Sequence, residues 1–444
     1  MKQVQTNGKF SKIGFILATA GSAVGLGNVI RFPYIMGDSG GGAFFVIYLL
    51  TILFIGASVM LAEMVVGYKG QAGAVSSLEK LTTGSPGPWR PIGWVISSSS
   101  NIIFSYYVIL LAWMITYIGL SASGGLAHEP AAADAIFAST RENLPRTLLL
   151  SILLIILTFG VVSRGISRGI ERLNLILMPM ILLIFGGMFI YAATLHGFGE
   201  ALDFMFKFKW SDITMKVVVS AIGMSFFTLS LGSAIVLAYS ASLPKGSNLV
   251  QSIGYVVLLD TLIAIVSGIM IFSFVFTYGG SPTAGFGLVF ITLGTVFSNL
   301  GYLGQLLGVV FFSALFFAGI TSAVSMVEPM LKAVHYRFKV SRSKAAIALA
   351  LPTALLTAII TLSFGGYFGD INLMDIVDYI LSNVLLPMGG LAITIFVGWF
   401  MDRKVVEDAV DGKLHGFFEL WYIIIKYIAP LLIIIVMLSL LGIM

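Results

Sequence analysis

Long apolar runs recur along the whole chain, separated by short charged or Gly/Pro-rich breaks. A helix needs about 20 apolar residues to cross a hydrocarbon core about 30 Å thick. We therefore expect an all-α, polytopic membrane protein. The runs predict eleven membrane-spanning helices, at roughly residues 13–36, 42–68, 92–121, 146–163, 170–192, 214–241, 250–277, 302–335, 345–363, 375–401 and 419–442.

One further apolar stretch, residues 281–300, is about as long as a span but contains Pro282, Gly285, Gly287 and Gly294. We interpret it as a hairpin-like cap outside the membrane. With this cap excluded, eighteen of the 25 Lys and Arg residues fall on one side of the eleven spans and five on the other. Because basic residues favour the cytoplasmic side, the N-terminus is expected in the cytoplasm and the C-terminus outside the cell.

Composition supports a cell-membrane protein surrounded by lipid. Hydrophobic residues make up 58% of the chain and charged residues 10%, whereas a soluble protein has about 25% charged residues. The chain has no cysteine, which excludes disulfides, thiolate metal sites and cysteine nucleophiles. Membrane topology explains the net charge of +5, so no nucleic-acid partner is expected. The four histidines are scattered, and we do not expect an enzyme.

Two spans carry glycine and small polar residues at mid-bilayer depth: GSAVGLGN at 21–28 and FFTLSLGS at 226–233. Glycine costs a helix interior about 1 kcal/mol relative to alanine, and backbone groups released there need protein, water or ion partners. Close helix packing is the simpler explanation for one such segment. Two segments at corresponding places favour a binding site.

The interrupted spans are the first members of two successive sets of five. Five is odd, so the second set enters from the opposite side, which predicts an inverted 5+5 repeat with helices 1 and 6 broken. We divide the chain into a tail and first repeat (1–192), a second repeat with an extracellular cap (193–401), and a cytoplasmic loop with helix 11 (402–444). This arrangement is typical of secondary transporters with a midplane site.

Four motifs resemble the neurotransmitter:sodium symporter family: GSAVGLGNVIRFPY (21–34), GGGAF (40–44), FFTLSLG (226–232) and FFAGITS (316–322). The likeness spans nearly the whole chain, and eleven helices resemble many bacterial amino acid transporters of that family. The resemblance implies a sodium-coupled symporter that imports an amino acid by alternating access. An amino-acid-sensing receptor on the same fold remains the alternative, because transporter folds are reused in that way.

By the same resemblance, two sodium ions bind at the breaks. The first site would use Ala23, Asn28, Thr228 and Asp260, with the substrate carboxylate completing the shell. The second would use the carbonyls of Gly21, Val24 and Ala318 with the hydroxyls of Thr321 and Ser322.

The hydroxyls of Thr321 and Ser322 have a simpler alternative role, which is to bond their own helix. Asp260 implies that no chloride is required, because its carboxylate supplies the negative charge that animal relatives obtain from chloride. Proton release or uptake at this acid is left open. An acid at this depth must be paired, ion-bound or protonated.

The resemblance also places the substrate. Its carboxylate would meet the backbone N–H groups of Leu26 and Gly27 and the Tyr107 hydroxyl. Its ammonium group would meet the carbonyls of Ala23, Phe227 and Thr228 and the Ser230 hydroxyl. The side chain would lie among residues that are mostly apolar, which implies a hydrophobic amino acid, and the small Ser233 leaves room for an aromatic one. These wall residues are Ile103, Phe227, Ser233, Ala323 and Met326.

Arg31 and Asp378 resemble the outer gate pair of the family, although a purely structural ion pair is the alternative. Glu63 is expected to accept N–H bonds from unwound backbone. Gly169 and Pro179 resemble the spacing that is linked to unwinding of helix 5, with packing and kinking as equal alternatives.

Two departures concern the inner gate. The family usually has Trp near the start of helix 1, where this chain has Lys9 and Phe10. The positions that match the inner ion pair are Thr6 and Tyr336, which cannot form one. We assign no inner-gate residues, and the sequence gives no oligomeric state.

Overall fold

The computed structural model describes residues 8–83, 87–279, 287–410, 414 and 416–443. Helices form most of this part of the chain, together with one 3-10 turn and a short extended segment, β1 (Tyr367–Asp370). We number the helices in chain order: α1 Lys12–Ala23, α2 Gly27–Asp38, α3 Gly42–Gly70, α4 Ala74–Leu81, α5 Trp89–Ser123, α6 Pro130–Glu142, α7 Leu144–Ser163, α8 Ile166–Ala192, α9 Phe198–Phe206, α10 Met215–Thr228, α11 Ile235–Ser240, α12 Leu249–Thr277, α13 Leu288–Asn299, α14 Gly301–Phe338, α15 Arg342–Ser363, α16 Leu373–Phe400, α17 Arg403–Val410 and α18 Phe418–Leu440.

The predicted all-α membrane architecture is confirmed. Nine of the described helices are long and apolar enough to cross a membrane alone, namely α3, α5, α7, α8, α12, α14, α15, α16 and α18. The pair α1 and α2, bent by 46°, makes a tenth candidate. The predicted sixth span coincides with α10 and α11, which are too short to cross singly. Each of the eleven predicted spans thus has a helical counterpart, while the division into two inverted repeats stays a prediction.

The predicted cap contains a helix that is too short to span. Helix α13 has 12 residues, against the roughly 20 that a crossing requires. It packs on α5 and α14 through aromatic rings, with Phe290 5.0 Å from Tyr117 and Phe297 5.5 Å from Phe311. Residues 281–286 lie outside the described residues, so the hairpin shape of this stretch stays a prediction.

Helix α14 forms the scaffold for the interrupted helices. It runs beside α5 and also contacts α1, α8 and α11. A side chain at Gly319 of α14 would collide with Leu111 of α5, which shows how closely the two helices approach each other. Small residues let helices approach in this way when lipid provides no hydrophobic driving force between them. The packing brings both helix breaks against the middle of α14.

Candidate binding site at the two helix breaks

The first break separates α1 from α2. Helix α1 ends at Ala23, where the N–H of Gly25 donates to the Ala23 carbonyl at 2.9 Å. Helix α2 begins with a π-helical turn, Gly27–Arg31. Regular i to i−4 bonding therefore stops between them, and backbone groups in this segment are left to find partners outside the helix.

The second break runs from the end of α10 to the start of α11. Ser230, Gly232 and Ala234 have positive φ angles of 54°, 74° and 59°. Such angles are uncommon for residues other than glycine, and the surrounding structure must hold them. Glu63, fully buried in α3, does so in part by accepting the N–H of Gly232 at 2.6 Å. This contact agrees with the expectation that Glu63 bonds unwound backbone.

The two breaks meet each other. The Thr228 hydroxyl lies 3.1 Å from the Asn28 side-chain oxygen, and the Ser230 hydroxyl lies 3.4 Å from the Ser22 carbonyl. Both contacts join residues about 200 positions apart in sequence. The interruptions read from the glycine pattern therefore form one polar centre between the helices.

A first oxygen cluster surrounds Asp260, which is buried in α12. Its carboxylate accepts from the Asn28 amide at 2.8 Å, the Thr228 hydroxyl at 2.9 Å and the Tyr48 hydroxyl at 3.4 Å. Three of the four residues expected at the first sodium site thus touch one another, and Ala23 ends the adjacent helix. Tyr48 was not predicted. Carboxylate, amide and hydroxyl oxygens are hard ligands that suit a sodium ion.

A second oxygen cluster joins α1 to α14. The Thr321 hydroxyl lies 2.9 Å from the Gly21 carbonyl and 2.7 Å from the Ala318 carbonyl, and the Ser322 hydroxyl lies 3.2 Å from Gly21. Both hydroxyls bond the Ala318 carbonyl of their own helix, which is the simpler role considered in the sequence analysis. Both also contact the Gly21 carbonyl of α1. The fifth expected ligand, Val24, follows directly on the end of α1.

Asn174 of α8 is a polar neighbour of this second cluster that the sequence did not reveal. A side chain at Gly21 would collide with its amide oxygen. That oxygen is buried and has no hydrogen-bond partner among the described residues. Buried polar atoms are nearly always bonded, so this one marks a polar space beside Gly21.

A cleft with a cavity volume of about 90 Å³ lies over both clusters. It is lined by α1, α2, α5, α10, α11, α14 and α16 and by the breaks. Ten of the eleven residues predicted to contact the substrate line it: Ala23, Leu26, Gly27, Ile103, Tyr107, Phe227, Thr228, Ser230, Ser233 and Met326. Ala323 does not line it and is buried within α14. Ser100, Tyr106, Ile235 and Leu386 line it without having been predicted.

Gly25 lies in close contact with α5 and α14. A Cβ atom added there would collide with the Ser322 hydroxyl and stand 3.2 Å from the Tyr107 hydroxyl, so one of these groups would have to move. The absence of a side chain at Gly25 thus lets the first break approach both helices at the floor of the cleft.

Arg31 and Asp378 both line the cleft but form no ion pair within 4.0 Å in the described structure. The Arg31 guanidinium lies 3.9 Å above the centre of the Phe227 ring. Asp378 accepts the Tyr106 hydroxyl at 2.7 Å and the Ser382 hydroxyl at 3.0 Å. Each charge thus has its own partners, and a gate that joins the two stays a prediction.

The remaining predicted positions concern helix 5 and the inner gate. Gly169 packs so tightly on α7 that a side chain would collide with the Val161 carbonyl, which favours the packing interpretation. Unwinding of α8 near Pro179 stays a prediction. Thr6 lies outside the described residues, and Tyr336 is partly buried in α14.

Comparison with known proteins agrees with this architecture. The model of the sodium:neurotransmitter symporter family matches residues 7–143 and 140–443. The sodium-dependent transporter YhdH of Bacillus subtilis is 35% identical over 98% of this chain and 97% of its own length. The sodium-dependent nutrient amino acid transporter 1 of Drosophila melanogaster is 25% identical over 73% of this chain and 60% of its own.

Among solved structures, MhsT in complex with L-phenylalanine is 38% identical, with a TM-score of 0.88 over 98% of this chain and 99% of MhsT. The matched family consists of sodium-coupled transporters and not of enzymes. The extent of the match, together with the two helix breaks, shows that the chain belongs to the sodium:neurotransmitter symporter family.

Proposed function

We propose that this protein imports a hydrophobic L-amino acid, aromatic ones included, by coupling it to sodium ions through alternating access. The observation that carries the proposal is the meeting of the two helix breaks, which places two oxygen clusters beneath one largely apolar cleft. The related MhsT binds L-phenylalanine, which supports an amino acid as the class of substrate.

The main-chain groups of the breaks suit a zwitterion. The first N–H groups of α2, at Leu26 and Gly27, carry the positive end of a helix dipole and would bind the carboxylate. The Tyr107 hydroxyl would be a further donor. The carbonyls of Ala23, Phe227 and Thr228 and the Ser230 hydroxyl would accept from the ammonium group. The charged ends would then be held mostly by backbone, which suits any amino acid.

Selectivity would come from the cleft wall. Ile103, Phe227 and Met326 are apolar, and Ser233 is the small residue among them. This mostly apolar wall suits an aromatic or other hydrophobic side chain beside the zwitterionic head group.

Two sodium ions would bind beneath the substrate. Asn28, Thr228 and Asp260 with the Ala23 carbonyl would form the first site, and the substrate carboxylate would complete it. Because the ion and the substrate share that shell, each would strengthen the binding of the other by the same factor.

The second site would use Gly21, Val24, Ala318, Thr321 and Ser322. Its ion would tie α1 to α14. We propose no chloride requirement, because Asp260 already supplies a negative charge at the first site.

The sodium gradient could drive strong accumulation. Two ions that enter down about 100 mV and a roughly tenfold gradient release about 7 kcal/mol, enough for about a 10⁵-fold gradient of a neutral amino acid. For import, the N-terminus and the basic loops would face the cytoplasm.

Reconstituted vesicles test this proposal and separate it from a receptor. We expect radiolabelled phenylalanine to accumulate above its outside concentration when sodium is imposed outside, and the accumulation to collapse with a sodium ionophore. Competition by each common amino acid would then rank substrates. A receptor would bind the amino acid with sodium yet never accumulate it, and that result would contradict transport.

A further inference from the structure

A buried lysine lies at the end of the second interrupted helix, outside the site described above. Lys332 of α14 is only 3% exposed. Its ammonium group donates to the Ala238 carbonyl and to the Ser242 hydroxyl, both at 2.6 Å. These two acceptors belong to the last turn of α11 and the residues that follow it. Lys332 is therefore a direct link between α14 and α11.

The end of α11 leaves an acceptor for this lysine. The N–H of Ala241 donates to the Leu237 carbonyl, but the N–H of Ser242 donates to the Tyr239 carbonyl and not to that of Ala238. The N–H of Leu243 donates to the Ser240 carbonyl. Such carbonyls at a helix C-terminus carry partial negative charge and favour a cation.

The neighbouring acid is already engaged by another partner. Glu328, one turn before Lys332, pairs with Arg342, whose Nη1 lies 2.9 Å from its Oε1. Within the described residues no carboxylate lies within 4.0 Å of the Lys332 ammonium. A buried charge without partners is costly, so the bonds to α11 are the ones that Lys332 depends on.

The segment just before α1 joins the same contact. The N–H of Phe10 donates to the Ser242 carbonyl at 3.2 Å, and the Phe10 ring lies 5.4 Å from Tyr239. The Tyr239 hydroxyl in turn donates to Ser325 of α14 at 2.7 Å. Lys332 thus holds the end of α11 against α14. Through Ser242 it also holds the segment that leads into α1.

We propose that Lys332 is a positioning residue that keeps the cytoplasmic side of the transporter closed by holding α11, and through it the segment just before α1, against α14. Helix α11 has only six residues, and its other end leads into the break that lines the cleft. Release of Lys332 would therefore free both the inner closure and the substrate-binding backbone. The inference rests on the proposed function, which places this end in the cytoplasm.

The absence of cysteine from the chain allows a direct test. Ser325→Cys introduces one fully buried thiol behind Tyr239. In inside-out membrane vesicles with sodium, we expect Lys332→Met to speed its labelling by a membrane-impermeant maleimide at least tenfold. Lys332→Arg, which keeps a cationic donor, should restore most of the protection. Lys344→Met, which alters an exposed lysine at the start of α15, should label like the parent.

A reporter elsewhere separates opening from loss of fold. Ser151→Cys is fully buried in α7 and should stay protected in the Lys332→Met background. If Lys332→Met folds poorly, Ser242→Ala removes one acceptor and should raise Ser325→Cys labelling about threefold. Labelling of either variant within 1.5-fold of the parent, or equal gains at both reporters, would overturn the proposal.

The outcome also separates this inference from the proposed function. If Lys332→Met opens the inner side but sodium changes labelling in neither protein, the closure by Lys332 stands and sodium coupling fails. If sodium slows labelling of the parent and Lys332→Met leaves that labelling unchanged, sodium coupling stands and the role of Lys332 fails.

Discussion

Replacement of Asp260 by asparagine isolates the negative charge of the first oxygen cluster. The amide is nearly isosteric, and its oxygen can still accept from Thr228, whose hydroxyl lies 2.9 Å from the carboxylate. The variant therefore removes charge while it keeps the shape of the cluster. Sodium should bind more weakly, and chloride should gain an effect that it lacks in the parent.

The structure sets the size of the effect. Two unit charges about 4 Å apart attract by about 4 kcal/mol at an effective dielectric of about 20, and a cation bound by the Asp260 carboxylate would lie no farther than that. An amide dipole retains part of this attraction. A loss of about 2 to 4 kcal/mol corresponds to a sodium affinity about 30- to 700-fold lower.

The assay is a sodium titration of phenylalanine binding to purified protein, in chloride and in gluconate. We expect the parent to give the same curve in both salts, and Asp260→Asn to bind more tightly in chloride. Asp408→Asn is the control, because Asp408 lies in α17 outside the spans, and Lys69 beside it lowers the pKa of its carboxyl. Sodium affinity of Asp260→Asn within threefold of the parent, or a parent that needs chloride, would refute the reasoning.

Three further substitutions probe separate parts of the account. Gly25→Ala should weaken phenylalanine binding more than tenfold, because the new Cβ collides at the cleft floor, while Gly199→Ala, with open space around it, should bind normally in the same equilibrium assay. Thr321→Val removes a hydroxyl of the second cluster and should lower sodium affinity about tenfold by titration; an unchanged midpoint would exclude this hydroxyl as a ligand. Arg342→Met leaves Glu328 buried without its partner and should cost about 3 to 5 kcal/mol of stability, seen as a lower Tm in detergent; an unchanged Tm would contradict this.

The membrane-spanning architecture and the position of the breaks could be predicted because both signals are local. Apolar run length measures a crossing directly. Glycine and small polar residues in the middle of such a run mark the break, as at 21–28 and 226–233. Most residues predicted to contact the substrate line one cleft because they lie inside those two short motifs.

Contacts supplied by other helices could not be read in the same way. Tyr48 and Tyr106 are ordinary aromatic residues within apolar helices, and only packing brings their hydroxyls to Asp260 and Asp378. Lys332 is one basic residue among several near the end of α14, and its role depends on a carbonyl 94 positions earlier. Such partners are set by how helices lie beside one another, which hydrophobic periodicity does not specify.

The separation of Arg31 from Asp378 has a different origin. The sequence predicts that these two charges can close a gate, but a gate has more than one state. The Arg31 guanidinium here stacks on Phe227. A pattern of residues encodes both states and does not state which one a given structure adopts.

In the proposed mechanism, one sodium ion and the substrate carboxylate share a coordination shell where the two breaks meet. Reciprocal titration by calorimetry measures this coupling: the affinity for phenylalanine is determined across sodium concentrations, and the affinity for sodium across phenylalanine concentrations. We expect saturating sodium to tighten phenylalanine binding by at least tenfold, and saturating phenylalanine to tighten sodium binding by the same factor. Phenylalanine binding of equal strength with and without sodium would contradict it.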